Sequence, residues 1–562
     1  MHCSSHFVPS PCDYLTRRFL INKILPNLSG ISGILFTMTV KADTTKPGLN
    51  QQSGGQSRLE RTRQERKQKI EKLQAQGIEV YQPIANPTHA AQEALAADGL
   101  SVVVAGRIMA WRGHGKIQFA DLHDQTGKIQ LAFKADVLAE SQFKSLTSLD
   151  TGDFVEVSGE TFTTKAGERT VQVTSYTLLS KALTPPPVKH QDFKDKEERF
   201  RKRYLDLLVN PDTKNVLDKR WQITRALREF LWGEGYQEVE TPILQNLYGG
   251  TNAKPFTTHL NSLDIDMYLR IAPELYLKRL IVGGYERIFE IARNFRNEGM
   301  DQTHSPEFTM VEFYEAYADY HRIMDRTEAL IQYIAQKVNN SLEIELEGQK
   351  INLGGSWPRV TMAQALKDHF NIDWDSISEP DLQGLIEQHH LQIPGVYSRQ
   401  KALFTLFDHL VTPKLIQPIW IIDYPREVSP LARQHRERSD ELVERFEGYI
   451  GGKEMFDGWS EIVDPQEQRR RFESEQRNLQ AGDVEAQPLD EEFIEALSYG
   501  CPPLGGIGIG IDRLVMLLTN VWSIREVIAF PLMRPRGGEA DGNEKNDRDN
   551  NNDSDVDETN DD

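Results

Sequence analysis

Cysteine is scarce in this chain. Its 562 residues hold three, Cys3, Cys12 and Cys501, two of them within the first twelve positions. That excludes a disulfide scaffold and a cysteine-based zinc cluster, and suits a reducing compartment. Apolar runs are short, far below the roughly 20 residues that cross a bilayer, so no membrane span is expected. A glycine-rich phosphate loop ending in Gly-Lys-Ser/Thr is missing too, leaving an ordinary P-loop nucleotide site unsupported. What is present argues for a folded, multidomain protein: 39% hydrophobic and 27% charged residues exclude wholesale disorder. The length exceeds what one hydrophobic core organises, so two or more domains are expected.

The net charge is −19, unevenly placed. Residues 537–562 carry eleven acids against Lys545 and Arg548, and so supply −9 of it. That Asp/Asn-rich tail has too little apolar surface to fold. Between Arg58 and Lys72 seven basic residues face three acids, a local +4. Binding follows local patches rather than global charge, so the acidic total does not exclude RNA. The same segment reads as a helix that is polar nearly all round, either simply solvated or a weak RNA contact.

Residues 1–40 are basic and serine-containing, with Asp13 the only acid. They fit a transit peptide, although Met38 before a polar stretch also fits an ordinary start. Residues 1–56 are read as a leader and 57–98 as a helical extension. Period-two alternation at 102–110, 117–122, 128–133, 153–159 and 170–177, with turn signals between, predicts five short strands. Five strands in so short a span suit an OB-type barrel, placed at 99–183. Pro185-Pro186-Pro187 opens a stiff linker, 184–210, and 211–535 form one long mixed segment of helices and strands.

Within that segment, 287–317 reads as two strands and a polar loop. Alternation puts Glu290, Asn294 and Arg296 on one face; Phe308, Met310, Glu312 and Tyr314 share a face on the return strand. The loop contains Glu298 and His304. An arginine can fork onto a phosphate and a planar aromatic can stack a base, although each charge taken alone could be merely solvated. A second hairpin turns at Gly451-Gly452. It predicts Tyr449 opposite Glu454, with Glu447 diagonal on the same face. Two such carboxylates can share a hard cation with phosphates; two solvated, mutually repelling glutamates are the plainer reading of these residues alone.

Several motifs carry a resemblance. FRNEG (295–299) with PEFTMVEFY (306–314) resembles motif 2 of the class II aminoacyl-tRNA synthetases in its lysyl form. GYQEVETP (235–242) resembles motif 1, which forms the dimer, and GIGIGIDRL (506–514) resembles motif 3. RYLDLL (203–208) is similar to the hinge of the subclass with an N-terminal OB domain. The resemblance covers about residues 58–535 and implies an α+β chain: an OB-fold barrel, then an antiparallel-sheet catalytic domain. It implies a homodimer that activates L-lysine with ATP and loads it onto tRNA(Lys), dependent on Mg²⁺, and cytoplasmic unless residues 1–40 direct it to an organelle.

The resemblance also implies roles. Arg296 would grip the α-phosphate and substrate carboxylate, Glu298 and His304 would hold ATP, Phe308 would stack adenine, and Arg513 would neutralise the γ-phosphate. Glu447 and Glu454 would hold Mg²⁺. Glu274 and Glu461 would take the substrate's side-chain ammonium, with Tyr314 and Trp459 beside them and Gly250 and Glu312 at the α-amino end. Glu274 could otherwise be a helix N-terminal charge after Pro273. In the barrel, Arg112, Phe119 and Gln130 would read the anticodon by stacking and polar contacts.

Four residues depart from the family pattern: Asp457 for asparagine, Trp459 for phenylalanine or tyrosine, Ser305 for asparagine, and Val463 where asparagine or threonine is common. An aspartate at 457 would repel a substrate carboxylate unless protonated or turned away. Glu454 and Glu461 also differ in parity, which requires an irregularity, expected near Gly458. Two other readings compete: a ligase joining lysine to a protein acceptor, and a non-catalytic synthetase-like RNA-binding protein.

Overall fold

The structure, a computed structural model, describes residues 57–187, 193–393, 397–480, 482 and 485–536. The expected leader (1–56) and acidic tail (537 onward) lie outside the described residues.

Helix α1 (Arg58–Ala75) precedes strands β1 (Ser101–His114), β2 (Ile117–His123), β3 (Lys128–Lys134), β4 (Phe154–Thr163) and β5 (Arg169–Ser180). The strands close into a barrel in the order β1-β2-β3-β5-β4, antiparallel except for β3 against β5. Alternation sends Val104, Leu122, Leu131, Phe133, Val157 and Val171 inward. β4 and β5 run longer than the pattern suggests, because a register shift between Ser158 and Gly159 breaks the alternation. The basic residues of α1 are partly spent on the barrel. Buried Arg66 donates to the carbonyls of Ala182 (2.7 Å) and Thr151 (3.0 Å), and Lys69 pairs with Asp150 at 2.8 Å.

The stretch expected as a linker holds two helices, Lys196–Arg201 and Arg203–Val209. Arg203 is the reason: fully buried, it pairs with Asp206 at 2.7 Å and donates to the carbonyls of Arg525 (2.7 Å) and Ala529 (3.2 Å). A buried guanidinium needs such partners, and they pin the hinge to the C-terminal segment.

The larger domain is built on an eight-stranded sheet. Its strands are β6 (Gln237–Glu238), β7 (Arg287–Phe295), β8 (Glu307–Ala316), β9 (Arg359–Thr361), β10 (Ile419–Pro425), β11 (Leu442–Ile450), β12 (Lys453–Ser460) and β13 (Leu504–Gly510). The order is β9-β10-β11-β12-β13-β8-β7-β6, antiparallel except at the two outer pairs. Helices α2 (Pro211–Gly233), α4 (Tyr320–Asn339) and α5 (Ile511–Thr519) share a core with Phe289, Val311 and Phe313 on one face of the sheet. On the other face α3 (Glu274–Val282) packs Leu277 and Ile281 against Ile288 and Tyr314. The site lies on that second face. Among the described residues no helix is long and apolar enough to cross a membrane.

Candidate active site

One cavity of about 320 Å³ gathers residues from β8, β12, β13, α3 and the β7–β8 loop. Of the residues singled out from the sequence, Gly250, Glu274, Arg296, Glu298, His304, Phe308, Glu312, Tyr314, Glu454, Trp459, Glu461 and Arg513 line it. Glu447 does not, and Arg112, Phe119 and Gln130 sit on the barrel.

The cationic end comes from the β7–β8 hairpin and the start of α5. The Arg296 guanidinium lies 5.0 Å from the centre of the Phe308 ring, and its Nε is buried with no hydrogen-bond partner. Burial lowers its pKa, opposed by Glu298, Glu312 and Glu454. Arg513 meets His304 Nε2 at 3.1 Å and donates to the Glu454 carbonyl at 3.0 Å. His304 is held from behind by Asp301, 2.7 Å from Nδ1. Against the upward push of burial, the Thr303 and His304 amides and the His304 ring hold the Asp301 carboxyl down to about 2. Asp512 ties this end together: it pairs with Arg220 at 2.6 Å and accepts from the Thr309 amide at 2.8 Å.

The anionic end comes from α3, β8 and the end of β12. Glu274 and Glu461 are both buried. Glu461 Oε2 accepts from Trp459 Nε1 at 2.8 Å, while Oε1 is buried with no hydrogen-bond partner. Tyr314 donates to Glu312 at 3.0 Å. Burial and the Glu274 charge push the Glu312 carboxyl well above the usual range. Two glycines make room here. Gly250, at φ +95°, donates its amide to Gln487, and a Cβ there would sit 3.0 Å from the Glu274 Cβ. A Cβ on Gly506 would collide with the Tyr314 ring and lie 2.6 Å from Glu461 Oε1.

The irregularity expected near Gly458 lies instead at Met455. Gly448 pairs with Phe456 but Tyr449 with Glu454, leaving Met455 as the extra residue. Gly458 itself pairs regularly with Phe446 and Ile507; it is glycine because a Cβ would strike the Phe446 ring and the Gly506 carbonyl. The bulge buries Met455 and turns Glu454, Asp457 and Glu461 to one side.

Tyr449 stands opposite Glu454, as the hairpin predicts, and the bulge decides what faces Glu447. Glu447 stands directly opposite Asp457. Its oxygens are already engaged, by Arg445 (2.6 Å) on one side and by the hydroxyls of Tyr424 (2.9 Å) and Tyr449 on the other. Asp457 is clasped by the same arginine through Oδ1 (2.9 Å) and Oδ2 (3.0 Å). The aspartate that would repel a substrate carboxylate is thus turned to a guanidinium. Burial raises both carboxyls, against the pull of Arg445, and Glu454 adds to the rise. Among the described residues no group of three His, Cys, Asp or Glu is arranged to hold a metal ion. The donor chemistry still suits Mg²⁺, which binds one or two carboxylates plus phosphates: Glu454 faces the cavity, and its charge and that of Glu447 lie close enough to act on each other.

On the barrel, Phe119 lies opposite Arg112, and Asp121 opposite Gln130, so all four share the outer face. Arg112 pairs with Asp121 at 2.8 Å. Gln130 is buried, donating to Glu168 (2.7 Å) and accepting from Thr170 (2.8 Å).

Sequence reasoning missed Arg445, Asp512, Gln487 and Lys278. The last carried a signal, the Glu–Lys spacing of four on a helix; the others depend on contacts between distant segments.

Residues 195–534 match the family model of the class II tRNA synthetases (D, K and N), and 102–179 that of the OB-fold nucleic acid binding domain. An OB barrel followed by an antiparallel-rich sheet carrying this cavity defines a class II tRNA synthetase. Lysine–tRNA ligases are among its relatives. That of Clostridium perfringens is 46% identical over 482 residues, 84% of this chain and 96% of its own. That of Thermoanaerobacter sp. is 47% identical over 440 residues (78% and 88%), and that of Pelotomaculum thermopropionicum 46% over 495 (87% and 98%). The chain belongs to the lysine–tRNA ligase family.

Proposed function

We propose that this protein activates L-lysine with ATP and transfers the lysyl group to the 3′ end of tRNA(Lys). The observation that carries the reading is the polarity of one cavity. Guanidinium groups stand at one end, and at the other are two buried glutamates, one with a carboxylate oxygen that no protein group satisfies. A buried polar atom left without a partner is costly, and a substrate ammonium supplies one.

In the first step the lysine carboxylate attacks the α-phosphorus and pyrophosphate leaves. Arg296 lies between the two groups and offsets the charge that gathers on the phosphoryl oxygens; His304 and Arg513 hold the departing phosphates, and Phe308 stacks the adenine. Glu274 and Glu461 take the side-chain ammonium, with Trp459 and Tyr314 closing the pocket. Glu312 and Gly250 receive the α-amino end. In the second step a ribose hydroxyl of the tRNA attacks the lysyl carbonyl and AMP leaves. No side chain forms a covalent bond: positioning and fixed charge carry the catalysis. Glu454, with Glu447 behind it, would hold Mg²⁺, which neutralises phosphate charge. Exposed Trp221 and Trp232 on α2, with Ile243 and Leu244 just after the motif 1 segment, favour a homodimer. Sparse cysteine favours the cytoplasm.

The test is lysine-dependent exchange between ATP and pyrophosphate, followed by charging of tRNA(Lys). Exchange with lysine and not with other amino acids, then charging, is the expected result. Exchange without charging would point to a protein acceptor, and no exchange to a binding protein. Phe119→Ala should leave exchange unchanged while raising the KM for tRNA about 10–100-fold, the range of a lost base-stacking platform.

A further inference from the structure

Lys278 lies one turn after Glu274 on α3, fully buried and outside the cavity lining. Its ammonium donates to Glu274 Oε1 at 2.6 Å and pairs with Glu461 Oε2. A lysine of the chain itself therefore bridges the two carboxylates that the proposed function assigns to the substrate's ammonium. It engages Glu461 through the oxygen that Trp459 also holds, and leaves Oε1, beside Gly506, without a partner.

Two carboxylates buried side by side cannot both stay ionised without a cation, since burial and like charge each favour the protonated form. We propose that Lys278 is a positioning residue for this pocket: a built-in counter-ion that keeps Glu274 and Glu461 ionised and aimed, so that the pair retains one net negative charge and admits one further ammonium. The inference rests on the lysine-ligase reading above and adds a mechanism of charge selection to it.

The other groups facing this cluster do not supply the charge. On β8, Tyr314 and Glu312 are both pushed well up by burial, and on the segment before β13 the Cys501 thiol is pushed up to about 11 by burial. On β12, Asp457 is engaged by Arg445. Trp459 and Gly506 complete the surroundings without a titratable group. Burial raises both carboxyls, Glu461 to about 8, and Lys278 is the cation that pulls each back down; the two carboxylates in turn hold Lys278 protonated against the opposing effect of burial.

The test compares wild type with Lys278→Met in the exchange assay between pH 6.5 and 8.5, measuring KM for lysine and for ATP separately. Without its internal cation the Glu274/Glu461 pair holds its proton more tightly than in the wild type, most visibly at the acid end. The KM for lysine should then exceed the wild-type value by about tenfold at pH 6.5, the effect of one pKa unit, and fall back as pH rises. The KM for ATP and kcat should change less than about twofold, because the cationic end is untouched. A folded variant whose KM for lysine follows the wild-type profile overturns the proposal. So does a uniform rise at every pH, which would assign Lys278 to packing. Should Lys278→Met fail to fold, Lys278→Ala is assayed with added propylammonium or with neutral n-propanol. Recovery of the melting transition and exchange by the ammonium alone supports the counter-ion; recovery by neither, or by both equally, overturns it. A wild-type protein without lysine-dependent exchange would sink the ligase reading itself, whereas an active wild type with an unmoved variant sinks only this inference.

Discussion

Arg296→Met should lower kcat/KM for lysine-dependent exchange about a thousandfold, at the upper end of what losing one preorganised donor to a developing charge costs. Methionine keeps the length and the apolar stem, so the fold should survive. The half-buried guanidinium stands over the Phe308 ring with a buried Nε that finds no partner in the protein, and a cation drawn out of water is retained against its desolvation only where something repays it. Steady-state exchange and a thermal melt check the pair of expectations. A variant that keeps more than about a tenth of wild-type exchange would remove Arg296 from the reaction.

Arg445→Met should act on stability rather than only on chemistry. It leaves Glu447 and Asp457, two mostly buried acids opposite each other, without their shared counter-charge. Breaking a buried pair by deleting one partner typically costs about 3–5 kcal/mol. The pH dependence follows from the direction of the shifts. Both carboxyls have folded-state values raised above the unfolded ones, burial being the first cause. Such a group exacts no penalty below the unfolded value of about 4; stability is lost as pH rises from there through the folded value. Removing Arg445 raises the folded values further. The variant should therefore melt much lower than wild type at pH 8 and recover part of the difference at pH 5.5. Equal melting points at pH 8 would mean that the acids relax into solvent and that the arginine is dispensable.

The parts of the site legible in the sequence are those ruled by local geometry. Strict alternation on β7 and β8 brings Glu290, Asn294 and Arg296 to one face and Phe308, Glu312 and Tyr314 beside them, and the pairing of Glu290 with Glu312 preserves that arrangement. The five barrel strands were legible for the same reason, because period two survives wherever no bulge interrupts it. Long-range compensation was not legible. Arg445 reads as one more surface charge until Glu447 and Asp457 are placed around it. The linker helices depend on carbonyls more than 300 residues away from Arg203. The family pattern, which names only groups that touch substrate, is silent on the cations behind them.

The single extra residue at Met455 has a consequence for how this pocket can vary. It acts as a half-step in the weave of the strand, setting which side of the ribbon every later side chain occupies. A chain one residue shorter between 449 and 456 would turn Phe456 and Ser460 into the cavity and Asp457, Trp459 and Glu461 to the opposite face, so a change of length is forbidden here even where substitution is tolerated.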